Sequence, residues 1–163
     1  MQDLEIAIQA DINQDYVNAV EYYERHIGGN SKPSEEAFIN LAFLYWRFVW
    51  SSPCDFDFSI PLELAETAFR RYPEVIELCK KLYPQNAEMQ LWEKYFLDIT
   101  DGIILTENDC LTIISAGPKS TSTVAAFFLL VFRPHEYEKE RMLLIKQCIE
   151  LPIAKNLYIK SCI

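Results

Sequence analysis

Apolar side chains recur at steps of three and four along most of this chain, and that period limits its fold more than any other feature. A helix buries a face repeated every 3.6 residues, whereas a strand needs alternation by two. Tyr16, Ala19, Val20, Tyr23 and Ile27 keep the helical step, and Met89, Trp92, Tyr95, Phe96 and Ile99 keep it again. The spacing predicts helices over 2–12, 15–27, 35–50, 61–72 continuing helical over 74–83, 87–100, 107–115, 120–132, 136–150 and 153–162. Between 35 and 50 the chain is apolar nearly all round, so that helix should be central. In 136–150 the inward residues are expected to be Met142, Leu143, Ile145 and Ile149. Residues 124–132 fit a buried strand as well as a helix, and their helical surroundings select helix.

Turn chemistry punctuates the pattern. Gly28-Gly29-Asn30 should end the second helix, because glycine takes the left-handed cap conformation at no steric cost. Ser34 is placed to cap the third. Residues 51–60 read as a loop, since no partner exists for a strand there. Pro61 suits a first helical turn, and Pro73 should kink or restart the helix it interrupts. Thr106 followed by Asp109 makes a capping pair. The expectation is an all-α chain of about eight to nine helices in antiparallel hairpins. With 163 residues, half of them hydrophobic, it is expected to form one helical domain with a core that needs no staples.

One stretch is more specific than general amphipathicity. Asp15, Tyr16, Ala19 and Tyr23 fall in one helix, and Phe38, Leu41, Ala42 and Tyr45 in the next. This spacing resembles the tetratricopeptide repeat, the first set as a second-helix half and the second as the first-helix half of the following repeat. Ala65 and Phe69 echo the step, and Pro84-Gln85-Asn86-Ala87-Glu88 is similar to an inter-repeat turn. His26 stands where the family has a small residue. The resemblance covers roughly residues 1–100, leaving 101–163 as further C-terminal helices, and it implies a helical array with a groove for protein segments.

Motifs of catalysis and metal binding are missing. His135-Glu136 is followed four residues after the histidine by Lys139, so a zinc-protease helix is absent, and no Glu-x-x-His pair exists. Gly117-Pro118-Lys119-Ser120 lacks the glycine and the strand of a phosphate loop. His26 and His135 read as helix-end or surface residues. Asp55, Asp57, Glu63 and Glu66 lack calcium-loop spacing. Cys54, Cys79, Cys110, Cys148 and Cys162 are an odd set without a C-x-x-C, read as free thiols in a reducing cytosol. The start, Met1-Gln2-Asp3-Leu4-Glu5, has no secretory pattern. The longest apolar run, Val124–Phe132, is short of the roughly 20 residues of a membrane span. The expectations are therefore no catalytic, cofactor or metal residues, and a cytoplasmic location.

Charge is distributed unevenly. Fifteen basic residues face 24 acidic ones, a net of −9. Residues 1–69 hold 12 acids and 3 bases, while the remainder balances. Asp11, Asp15, Glu21, Glu24, Glu35, Glu36, Asp55, Asp57, Glu63 and Glu66 carry the excess. Direct nucleic-acid binding and attachment to anionic membranes are disfavoured, and a basic protein partner fits. Trp50, Phe56 and Phe58 lie beside Asp55 and Asp57, and aromatic anchors ringed by charge suit an interface. The expected protein-binding set is Glu35, Glu36, Trp50, Asp55, Phe56, Asp57, Phe58, Glu63 and Glu66. Tyr83-Pro84-Gln85-Asn86, Leu91-Trp92-Glu93-Lys94-Tyr95 and Leu151–Asn156 are similar to small bacterial proteins of toxin–immunity loci. That resemblance implies an inhibitor of a basic toxin domain. A tetratricopeptide-type adaptor or chaperone holding a peptide is the alternative, although in 35–50 only Asn40 and Arg47 could serve a carboxylate clamp.

Overall fold

A computed structural model describes residues 2–50, 60–117 and 123–163. Among them the regular elements are nine helices, with no strand. The chain divides into two units, Met1–Leu82 and Tyr83–Ile163.

The first unit holds α1 (Gln2–Ile12), α2 (Tyr16–Gly29), α3 (Glu35–Trp50) and α4 (Leu62–Leu82). Each helix packs on its neighbour in sequence, giving hairpins α1–α2 and α3–α4 joined across α2–α3. The α1–α2 turn is closed by Gln14 N–H donating to the Asp11 carbonyl and Asp15 N–H to that of Ala10, both at 2.9 Å. Asp15 then caps α2 through the Asn18 N–H. The left-handed residue is Gln14, at φ 60°. Gly28 and Gly29 do not take the expected left-handed conformation; they continue α2, which ends at an extended Asn30. The Asn30 side-chain amide donates to the His26 carbonyl and so does the work expected of a glycine cap.

Ser34 caps α3 as its position suggests, its Oγ accepting the Glu36 N–H at 3.2 Å. From Ala37 through Phe48 every residue of α3 is buried, which agrees with its all-round apolar sequence. Ala19 and Ala42 are fully buried, as are Tyr23 and Tyr45. Pro73 neither ends nor restarts its helix: α4 runs unbroken from Leu62 to Leu82. Proline removes the hydrogen bond to the carbonyl four residues back, on Phe69. Both residues lie on the exposed side of α4, where water can serve that carbonyl.

The second unit holds α5 (Ala87–Asp101), α6 (Glu107–Ala116), α7 (Ala125–Leu130), α8 (Glu138–Glu150) and α9 (Ala154–Cys162). Asn86 caps α5 by accepting the Met89 N–H at 2.7 Å, and Gly102 closes it in the left-handed region at φ 68°. Thr106 and Asp109 form both halves of a capping box on α6. The core is aromatic. Trp92 stacks on Phe96 and Phe127 and meets Phe128 edge-on at 5.1 Å. The hydroxyls of Tyr95 and Tyr158 hydrogen-bond to each other.

Two expectations for this unit change. The helix predicted over 120–132 is only Ala125–Leu130 among the described residues, with turns at 123–124 and 131–132. In α8 the buried residues are Leu144 and Cys148, while Met142, Leu143 and Ile149 are exposed. Apolar residues occupy two sides of that helix, so its period alone does not choose between them, and packing selects the Leu144–Cys148 side.

Candidate functional site

The expected protein-binding residues do not form one cluster. Trp50 ends α3, and α4 returns beside it. Its ring lies 6.5 Å from that of Phe69 and 5.6 Å, edge-on, from that of Tyr72. Trp50 is 39% exposed, Phe69 63% and Leu62 76%. Leu62, Glu66 and Phe69 are spaced at four and three residues, so they share one stripe of α4 with Glu63 one turn before Glu66. Both glutamates are exposed, and neither makes an ion pair among the described residues. Arg70, also exposed, follows on the same side. The result is an apolar and aromatic surface flanked by two carboxylates and one guanidinium.

Glu35 and Glu36 are exposed in the first turn of α3, about 21 Å of helix from Trp50. Glu35 instead acts on the end of α4: burial, and then the charge of Glu35, push the Cys79 thiol up to about 12. These two acids are therefore separate from the Trp50 surface. Asp55, Phe56, Asp57 and Phe58 lie outside the described residues, as does Cys54.

Two carboxylates assigned to the acidic face have other partners. Asp11 is 1% exposed and accepts a hydrogen bond from the Tyr23 hydroxyl, to which Asn40 Nδ2 donates in turn at 3.1 Å. Burial, followed by the charge of Asp11, raises Tyr16 to about 12 and drives Tyr23 well above the usual phenol range. Glu24 accepts from Tyr45 Oη at 2.8 Å, from Arg71 Nε at 2.9 Å and from Arg71 Nη2 at 2.7 Å. That bidentate pairing joins α2 to α4. The charge available to a partner is thus smaller than the sequence count and lies elsewhere. A step of four from Ala7 puts Asp11 on the buried face of α1, but composition counts it as one more surface acid.

The sequence reading missed Leu62, Phe69 and Tyr72 as parts of this surface. Phe69 was visible as a repeat position, where it would fill a helix–helix gap, and its exposure is the departure. His26 is a helix-end residue, one of the two placements expected, in the last turn of α2 rather than on the surface. It is buried near the end of α2, with Nε2 accepting the Ser34 N–H at 3.1 Å, and burial lowers its pKa.

No gathering of three or more His, Cys, Asp or Glu side chains that could hold a metal ion occurs among the described residues. Cys79, Cys110 and Cys148 are buried free thiols, and Cys162 is exposed. No described helix is long and apolar enough to cross a membrane. No protein-family model, curated protein or solved structure matches the chain.

Proposed function

We propose that this chain is a non-catalytic protein-binding module, an immunity protein that neutralises a basic toxin domain by direct binding in a reducing cytoplasm. The observation that carries the reading is the exposed Trp50–Leu62–Phe69 surface with Glu63 and Glu66 on its flank. Trp50 and Phe69 meet ring to ring at 6.5 Å, with Leu62 exposed on the same stripe of α4, and adjoining exposed apolar groups mark interaction sites more often than scattered single residues do. Aromatic anchors supply binding energy, and unpaired rim carboxylates steer an oppositely charged partner. Net charge and the similarity to toxin–immunity proteins favour a basic partner over a neutral one.

The adaptor reading draws on a different observation. Ala19 and Ala42 are fully buried in successive helices, as small residues are where the hairpins of a repeat array approach closely. An adaptor would bind short extended peptides weakly, and an inhibitor would bind a folded basic domain tightly.

Association kinetics with the purified partner test the proposal. Glu63→Lys with Glu66→Lys should slow association by about tenfold at low salt, with circular dichroism unchanged. Glu35→Lys with Glu36→Lys, at the far end of α3, should have the smaller effect. Equal effects from the two pairs, or none from either, would remove the Trp50 surface from the interface.

A further inference from the structure

Helix α8 carries apolar groups on the side turned to water. Its core side is Leu144 and Cys148. On the opposite side Lys139, Met142, Leu143, Lys146, Ile149 and Glu150 follow at steps of three and four, and all six are exposed. Met142 is 60% exposed, Leu143 61% and Ile149 58%. The outward side of a surface helix is ordinarily polar, so this stripe lacks a partner within the single chain.

We propose that α8 pairs antiparallel with α8 of a second copy of this chain, burying Met142, Leu143 and Ile149 between them. The order of charges selects that occupant. Lys139, Leu143 and Glu150 run along one edge of the stripe, with the base at its N-terminal end and the acid at its C-terminal end. A two-fold axis beside residues 144 and 145 sets Lys139 of each copy opposite Glu150 of the other. The same register lays Leu143 on the aliphatic stem of the other copy's Lys146 and brings Met142 within a turn of the other copy's Ile149. A parallel copy would oppose like charges. A wholly acidic or wholly basic partner would leave one end of the edge unmatched. Both charges are accessible: Lys139 makes no ion pair among the described residues, and Glu150 meets Lys146 of its own helix at 3.7 Å with both side chains well exposed. Glu138 and Arg141, on the flank, pair with each other. Repulsion between two copies of this unit is weak, since residues 83–163 hold 10 acids and 8 bases. With 13 residues, α8 is about 20 Å long, and two such helices cover about 1,000 Å² counted over both copies. That is the low end for a specific interface and implies a weak dimer, with a Kd of about 100 µM. This inference is independent of the Trp50 surface, which belongs to the other unit.

Sedimentation equilibrium of the full-length protein, tag removed, tests it from about 10 µM to about 1 mM. A reductant keeps the exposed Cys162 from cross-linking the copies. The mean mass should rise from monomer towards dimer over that range. Lys139→Glu and Glu150→Lys each place like charges at both contacts and should weaken association about tenfold, with circular dichroism unchanged. An equimolar mixture of these two variants should regain it, as should both substitutions in one chain. Met142→Ser with Leu143→Ser should abolish it. A monomer mass throughout, unaltered association of either charge variant, or a mixture no tighter than its components would each overturn the proposal.

Discussion

His26 is the residue whose surroundings most restrict its chemistry. The Ser34 N–H donates to Nε2, and a backbone amide cannot turn round to accept. The imidazolium would set two donors against each other, and burial further depresses the pKa below its ordinary 6.5. A depressed histidine contributes stability that is complete above the unfolded value and is lost as pH falls through the lower folded value. Urea denaturation should therefore show stability falling below about pH 6.5, and His26→Gln should flatten that part of the profile. Parallel curves for the two proteins would contradict this. Gln14 has a side chain in the left-handed region that glycine occupies freely. Gln14→Gly should raise stability by about 0.5–1 kcal/mol, and an unchanged or lower melting temperature would show the turn to be unstrained. Among the described thiols, burial raises Cys79 to about 12 and Cys110 to about 11, and raises Cys148 as well. Cys162 is exposed, so mass-spectrometric mapping should find it labelled by a thiol reagent before those three, which should react only on unfolding.

At the scale of the element, caps and periods were legible because they are local. Ser34, and Thr106 with Asp109, satisfy helix ends through neighbours two or three residues away, so sequence spacing contains the whole interaction, whereas Asn86 reads only as part of a turn. The uninterrupted α4 was not legible. A proline inside a helix breaks a local rule, and whether the freed carbonyl finds water depends on which side of the fold it faces. The α8 face was not legible either, because Met142, Leu143 and Ile149 compete with Leu144 and Cys148 on apolarity alone. Also illegible was the pair that joins α5 to α9, with Lys155 Nζ 2.6 Å from Glu88 Oε1 and side chains only 8% and 13% exposed. The partners are 67 residues apart, and only the fold brings them together. Trp92 Nε1 also donates to that carboxylate, at 3.4 Å. Removing one charge strands the other in a nearly dry site. Lys155→Met should cost about 3–5 kcal/mol, and adding Glu88→Leu should recover most of it. If the double variant is no more stable than Lys155→Met, the pair is not what holds that contact.

At the scale of the molecule, the sign of the charge was legible from composition, but the count overstates what a partner meets. Asp11 is buried, Glu24 is held by Arg71 and Tyr45, and Glu35 with Glu36 sits at the far end of α3 from Trp50. What remains at the candidate site is Glu63 and Glu66 beside Trp50, Leu62 and Phe69. Its aromatic anchor was legible as Trp50. Its apolar neighbours on α4, Leu62 and Phe69, were not, because exposure at Phe69 is a property of packing rather than of spacing. The central claim is that this surface captures a basic protein. Its most direct test is affinity capture from the source organism by the full-length protein, by Trp50→Ala with Phe69→Ala, and by Glu63→Lys with Glu66→Lys. Each capture is made at about 50 mM and about 500 mM salt, and the retained proteins are identified and quantified. The account predicts one basic folded domain held by the unaltered protein at low salt, weakened at high salt, and depleted in both variants. Retention of the same proteins by all three, or of none that is basic, would contradict it.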